Sequence, residues 1–146
     1  MLVREVLKIK GERLISVAPE ASLIDAVALM VDNDIGALVV LKAGEMAGML
    51  TFREVLQALY GGKGAVHGAT VQSVMVPNPA SAKPEDTVDQ MRTLMTEQHI
   101  RYLPIKEGGK LLGVLSFHDV AKAALKAASF ENTLLKTYIK NWPEKV

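Results

Sequence analysis

Apolar residues in the first part of the chain follow helical spacing in one segment and strand-like runs in others. After Ser22, which fits a helix N-cap or first-turn residue, they recur every three to four positions and predict a helix. Two apolar runs follow, separated by a turn that contains glycine, and they predict a pair of strands. The predicted elements are an extended piece at 14–17, helix positions Leu23, Ala26, Val27 and Met30, strands at 37–41 and 46–51, and an Ala- and Leu-rich helix beginning at Thr51.

This order of elements occurs twice, and Thr87 in the second copy fits the N-cap or first-turn position that Ser22 has in the first. A shift of 65 positions places residues 16–58 on residues 81–123 without a gap. A unit of about 60 residues is marginal on its own, and a second copy supplies the partner for its apolar face. The sequence therefore predicts a mixed α and β fold in which two β-α-β-β-α units form one pseudo-two-fold body. Identical pairs include Ser16/Ser81, Pro19/Pro84, Met30/Met95, Leu38/Leu103, Gly48/Gly113, Leu50/Leu115 and Phe52/Phe117.

The segments outside the repeat suggest how the chain is divided. We predict a first motif at 1–60, a linker at 61–69, a second motif at 70–126 and a helical tail at 127–146. The linker is rich in glycine but lacks the spacing of a phosphate-binding loop. The tail has an apolar stripe that would pack either on the same body or at a subunit interface. Its members are Leu134, Leu135, Tyr138, Ile139 and Trp142.

Composition narrows the class of protein. The formal net charge is +1 and no basic block is present, which makes nucleic acid an improbable main partner. The chain has no cysteine, which excludes disulfides and Cys-ligated zinc. The first ten residues lack the apolar core of a signal peptide, and no apolar run approaches the ~18 residues of a membrane helix. We therefore expect a cytoplasmic globular protein that does not enter a membrane.

Candidate chemistry lies at the end of the second strand of each copy. Ser116 is followed three positions later by Asp119, and Thr51 is followed by Glu54. A hydroxyl and a carboxylate at this spacing form a capping box at a helix start, which is the plain structural interpretation. We find no nucleophile elbow around Ser116 and no ligand spacing that would join His99 and His118 in a metal site. The sequence therefore predicts neither an enzyme nor a metalloprotein.

Taken together, these features resemble the CBS-domain family in its paired form, the Bateman module. The resemblance covers nearly all of residues 1–125. It includes the lead-in segments at 3–6 and 71–74, the Pro-Glu before each first helix, the strands at 35–40 and 100–105, and both terminal motifs. Residues 131–139 look like the C-terminal helix of small stand-alone bacterial CBS-pair proteins.

The resemblance implies a regulatory module that binds an adenine nucleotide (AMP, ADP, ATP or NAD) in the cleft between the copies. It implies no catalytic cofactor, a signal passed to a separate and unidentified partner protein, and association as a homodimer. A carboxylate suits the ribose hydroxyls, and Arg, Lys or His suits phosphate. The alternative is a structural interaction or dimerisation module whose cleft holds no ligand.

The resemblance also implies two unequal sites, each drawing on both copies. We expect site A to bind, because Gly36 and Ala37 leave room for an adenine ring and Asp119 matches the family carboxylate. We expect site B to be weaker, because Glu54 is one methylene longer and Arg101 and Tyr102 are bulky. Site A comprises Ser16, Val17, Ala18, Ile35, Gly36, Ala37, Arg101, Ser116, His118 and Asp119; site B comprises Thr51, Arg53, Glu54, Ser81, Lys83, Ile100 and Tyr102.

Overall fold

Within each repeat the helices and strands follow one another in the predicted order, except that an isolated bridge at Ala82 takes the place of the first strand of the second repeat. The computed structural model describes residues 1–11 and 13–140 and contains the unit twice, so the mixed α and β fold is confirmed. In chain order the elements are α1 (Val3–Lys10), β1 (Ser16–Val17), α2 (Leu23–Asp32), β2 (Ala37–Lys42), β3 (Glu45–Thr51), α3 (Phe52–Gly61), α4 (Val71–Val74), β4 (Val76–Pro77), α5 (Val88–Glu97), β5 (Tyr102–Glu107), β6 (Lys110–Ser116) and α6 (Phe117–Lys140).

Side-chain caps fix where the first helix of each repeat begins. The Ser22 hydroxyl accepts the backbone N–H of Asp25 at 3.1 Å, and the Thr87 hydroxyl accepts that of Gln90 at 3.0 Å. Each bond satisfies one of the backbone N–H groups that a helix start leaves without an intrahelical partner. Both predicted N-cap residues are therefore confirmed.

The strands form one sheet in each half. In the first half the order is β1-β2-β3-β4, with β1 parallel to β2 and the other pairs antiparallel. In the second half β5 pairs with β6, and a single bridge from Ala82 to Ile105 takes the place of β1. Positive φ at both central residues gives each hairpin the turn that suits strand twist. These residues are Ala43 and Gly44 in the first hairpin and Gly108 and Gly109 in the second.

Each half has its own hydrophobic core, and the segment that precedes the other half completes it. Val3 and Val6 of α1 are buried in the second half beside Leu103 and Leu115. Val71 of α4 is buried in the core of the first half. Backbone hydrogen bonds join α1 to the loop before α5 and join α4 to the loop before α2. Because the lead-in segments cross over, each repeat depends on its neighbour for part of its core.

The two sheets differ in what covers one edge. In the first half β4 pairs with β3 from Gly48 onward. At the equivalent Gly113 of the second half, the covering element is α1: a Cβ built there would lie 3.0 Å from the Leu7 side chain. The Lys10 ammonium also donates to the Val114 carbonyl at 2.9 Å. One edge is therefore closed by backbone pairing and the other by side chains of a helix.

The last helix runs through the predicted border between the second motif and the tail. α6 has 24 residues and no break near residue 126. Leu134 of the predicted apolar stripe is 54% exposed. The side chains of Leu135, Tyr138 and Ile139, and the whole of Trp142, lie outside the described part of the chain. No helix among the described residues has both the length and the apolar character needed to span a membrane.

Candidate functional site

Two cavities open between the halves, one on each side of a shared wall. The smaller, cavity A, has a volume of about 580 Å³, and the larger, cavity B, has about 1100 Å³. Both volumes are large enough for a small organic ligand. Residues from both repeats line each cavity, which matches the expectation that each site draws on both copies. The shared wall consists of Met49, Arg101, Tyr102 and Phe117.

Cavity A corresponds to predicted site A. Its lining includes six of the ten predicted residues: Ile35, Gly36, Ala37, Arg101, Ser116 and His118.

The segment around β1 meets cavity A two residues earlier than expected. Leu14 and Ile15 line the cavity in place of Ser16, Val17 and Ala18. Val17 is in the core and only 9% exposed, whereas Ser16 and Ala18 are exposed but lie outside the lining.

Cavity B corresponds to predicted site B and shows the same displacement. Thr51, Arg53, Glu54, Ile100 and Tyr102 line it, as expected. Pro79 and Ala80 take the place of Ser81 and Lys83, which are exposed on either side of the buried Ala82 but lie outside the lining. The repeat thus carries the same two-residue difference into both cavities.

Asp119 of site A lies at the start of α6 and holds a reciprocal cap. Its Oδ2 accepts the Ser116 backbone N–H at 2.9 Å, and the Ser116 hydroxyl accepts the Asp119 backbone N–H at 3.0 Å. The same Oδ2 accepts the Lys10 ammonium at 2.7 Å. The capping box is therefore formed, and a cation from α1 is added to it.

The charge on Asp119 follows from these contacts. Burial by itself raises the pKa of the carboxyl, but the hydrogen bond and charge of Lys10 and the bonds from Ser116 outweigh burial. The net effect holds the pKa of Asp119 below its ordinary value of 3.8. The Asp119 carboxylate is therefore ionised at neutral pH. Asp119 itself is not in the lining of cavity A, whereas its bonding partners Lys10 and Ser116 are.

Lys10 and Arg13 line cavity A and were not anticipated. Lys10 is 109 positions from Asp119, and no local spacing joins the two. The available signal was the lead-in segment itself, because a short helix that crosses to the other half brings its last turn to the start of α6. Arg13 lies beside it and donates to the Asn33 side-chain oxygen at 2.9 Å.

Glu54 of site B uses its extra methylene to fold back on its own helix start. Its Oε1 accepts both the backbone N–H and the hydroxyl of Thr51, each at 2.8 Å. The Thr51 hydroxyl in turn accepts the Arg53 backbone N–H at 3.3 Å. Glu54 is 7% exposed. One oxygen of this carboxylate is therefore committed to the cap, and the residue is more deeply placed than Asp119.

Gly36 has a different role from the one its size suggested. The space that a side chain there would fill is occupied by the Tyr102 hydroxyl, and Phe52 Cε2 is 2.8 Å from the Cβ position. Its missing side chain thus accommodates a tyrosine of the other half instead of leaving a vacant slot. Open space in cavity A lies beside this contact, along Ile35 and Ala37.

The histidines occupy separate places. His99 follows α5 with φ 54° and lines cavity B. His118 is exposed and lines cavity A, whereas His67 lies in the exposed linker. Among the described residues, no three His, Cys, Asp or Glu side chains are grouped as metal ligands.

Comparisons with known proteins identify the family to which this fold belongs. The family model for the CBS domain matches residues 3–61 and again 71–126. The chain is 32% identical over 108 residues to the CBS domain-containing protein YhcV of Bacillus subtilis, a match that covers 73% of the chain and 75% of YhcV. It is 31% identical over 125 residues to the mitochondrial CBS domain-containing protein CBSX3 of Arabidopsis thaliana, covering 79% of the chain and 58% of CBSX3. The chain thus spans little more than half of the longer relative.

Solved structures have the same fold. The CBS-domain containing protein ATU1752 from Agrobacterium tumefaciens superposes with a TM-score of 0.80 at 32% identity, covering 85% of this chain and 99% of that one. CBSX2 in complex with AMP, at 23% identity and a TM-score of 0.72, shares the fold over 86% of this chain and 97% of its own. Two family matches, two equivalent folded units and a cleft lined by both lead to one assignment: the chain belongs to the CBS-domain family.

Proposed function

We propose that this chain binds an adenine nucleotide in cavity A and acts as a regulatory module. The observation that carries the proposal is the ionised Asp119 carboxylate at the start of α6, which is bonded to Lys10 and Ser116, two lining residues of a cavity bounded by both halves. The AMP complex of CBSX2 supports an adenosine-type ligand for this fold. AMP, ADP, ATP and NAD all contain the group that such a site would recognise.

Each part of the nucleotide would have a partner. The ribose hydroxyls would donate to Asp119, and hydrogen bonds to a charged group contribute roughly 1.5–3 kcal/mol each. The adenine ring would lie along the apolar wall formed by Ile35 and Ala37. Arg101 and His118, both exposed and both in the wall of cavity A, would contact phosphate.

Cavity B would be the weaker site. It is the larger of the two, so space does not limit it. The limit would come from Glu54, because one of its oxygens already accepts two hydrogen bonds from Thr51 and the residue is 7% exposed. A ribose would have to compete with the helix cap for this carboxylate. Arg53 and Arg101 in the lining leave a phosphate contact open to it.

The module would act by binding and not by catalysis. The Ser116 hydroxyl caps α6 through the Asp119 backbone N–H instead of pairing with His118 as an activated nucleophile would. A nucleotide that bridges the halves would change their relative placement, and this change would pass to a separate partner protein.

Calorimetry tests the binding proposal. We expect AMP, ATP or NAD to bind the wild-type chain and Asp119→Ala to weaken binding about thirtyfold, which corresponds to ~2 kcal/mol. The matched control is Asp89→Ala, which removes a carboxylate that is 83% exposed on α5 and lines neither cavity. Equal affinity in wild type and Asp119→Ala would contradict the assignment, provided the variant melts cooperatively.

A second candidate function is dimerisation without a ligand. It is favoured by apolar side chains that stay exposed on α6, where Leu125 is 71% and Phe130 65% exposed. Light scattering on the full chain and on a variant lacking residues 129–146 would separate the two functions. A dimer that dissociates on truncation, together with no effect of millimolar nucleotide on the melting temperature, would favour the interaction module.

A further inference from the structure

We propose that Lys10 makes cavity A select phosphorylated ribonucleosides over uncharged ones, an inference that rests on the proposed nucleotide site. Lys10 is the last residue of α1, and its ammonium lines the cavity. It bonds Asp119 Oδ2 at 2.7 Å and the Val114 carbonyl at 2.9 Å. The ammonium is therefore bonded to the same carboxylate that a ribose would bind.

The hydrogen-bond capacity of Asp119 makes the two uses compete. A carboxylate oxygen accepts about two hydrogen bonds. Oδ2 already has two donors, the Ser116 backbone N–H and the Lys10 ammonium, while Oδ1 has none among the described contacts. The Ser116 bond is fixed by the helix start. The open Oδ1 could accept both ribose hydroxyls, so the two uses compete when the ribose spans both oxygens. In that arrangement, which the proposal requires, one hydroxyl takes the place of Lys10 on Oδ2.

The displaced ammonium then needs another anion. Arg13 and Arg101 are in the same lining, and Arg13 bonds the neutral Asn33 side chain, which leaves its charge uncompensated by that contact. Among the described lining residues of cavity A the acidic member is Asp34. A ligand phosphate would pair with the released Lys10, whereas adenosine would leave three cations of the lining, Lys10, Arg13 and Arg101, with Asp34 as their acidic neighbour. A ligand phosphate therefore makes the displacement of Lys10 from Asp119 favourable, whereas without a phosphate the displacement costs binding free energy.

The experiment compares AMP with adenosine by calorimetry on the full chain. In the wild type we expect AMP to bind at least about tenfold more tightly than adenosine, the effect of one charge-assisted contact. In Lys10→Met the ratio should fall about tenfold, because adenosine gains a free Asp119 and AMP loses a partner. Lys10→Arg should keep most of the ratio. The matched control is Lys8→Met, an exposed lysine of the same helix outside the lining.

The outcomes separate this inference from the proposed function. If neither ligand binds the wild type, the proposed function fails and this inference fails with it. If AMP binds but adenosine binds equally well, the nucleoside site survives and the role of Lys10 is wrong. That comparison needs no variant, so it stands even where Lys10→Met does not fold. An unchanged ratio in a Lys10→Met chain of wild-type melting temperature would also overturn the inference.

Discussion

The two halves share a scaffold and differ in the segment that closes one edge of each sheet. In the first half the short α4 leads directly into β4, which pairs with β3 at Gly48 and Met49. In the second half the eight-residue α1 lies across the equivalent edge with Leu7 and Lys10. The difference shows that the lead-in segment adds to the individual character of each half.

This difference reaches the two cavities. The longer lead-in helix carries Lys10 to Asp119, so the carboxylate of site A has a cation beside it. In site B, Glu54 takes its described hydrogen bonds from Thr51. Two carboxylates at equivalent positions therefore sit in different settings: one is paired and partly open, the other is buried on its own cap. The asymmetry predicted from residue size has a second origin in the crossed lead-ins.

The largest expected effect separates the two sheet edges. A Cβ at Gly48 would lie 2.6 Å from the Val76 carbonyl oxygen and 2.8 Å from Met75 Sδ, so Gly48→Ala should push β4 away from β3. We expect a loss of about 3 kcal/mol in the free energy of unfolding, at the upper end for overpacking. Urea unfolding measures it.

The matched variant is Gly113→Ala. Its Cβ would meet the flexible end of the Leu7 side chain at 3.0 Å, and alanine also removes the ~0.5–1 kcal/mol cost of a glycine in a strand. We expect a change of less than about 1 kcal/mol. Similar losses at Gly48 and Gly113 would show that the two edges are closed in the same way, against the comparison drawn above.

Much of the fold was available from the sequence because it follows from periodicity. The 65-residue shift, the N-caps Ser22 and Thr87 and both glycine turns are local signals, and the structure agrees with them. The crossing of α1 to the second core has no local signal, because an amphipathic pattern predicts that one face of the helix is buried but not which core it packs against. The packing of each lead-in helix in the core of the other half was therefore found only in the three-dimensional structure.

The candidate site was likewise predictable where it depends on local pattern and not where it depends on packing between the halves. Residues at strand ends, such as Thr51 and Ser116, were placed correctly in the two linings, because strand ends meet the cleft. The lining by Leu14 instead of Ser16 depends on the path of the chain between the halves, which residue spacing does not reveal. Tyr102 against Gly36 is a contact between the halves, which residue size alone does not reveal.

A smaller effect distinguishes the two caps. Thr51→Ala removes a cap and takes one donor from a carboxylate that is 7% exposed, so we expect a loss of about 2 kcal/mol. Ser116→Ala removes the cap alone, because Asp119 keeps its bonds from Lys10 and the Ser116 backbone, and should cost about 1 kcal/mol. Thr51→Ser, which retains the hydroxyl, is the control. A larger loss of unfolding free energy in Ser116→Ala than in Thr51→Ala would contradict the inference that Glu54 depends more on its cap than Asp119 does.

The smallest expected effect is the pH dependence of the Lys10 and Asp119 pair. The folded pKa of Asp119 lies below its ordinary value of 3.8, so its stabilising contribution is complete above about pH 5 and is lost as the pH falls through the folded pKa. The two side chains are 38% and 23% exposed, and solvent screening limits the coupling to less than about 1 kcal/mol. A double-mutant cycle of Lys10→Met and Asp119→Asn, followed by urea unfolding, should give a measurable coupling at pH 7 and a smaller one near pH 3. A coupling of the same size at both pH values would mean that the contact is not ionic, and the paired character of site A would then rest on hydrogen bonding alone.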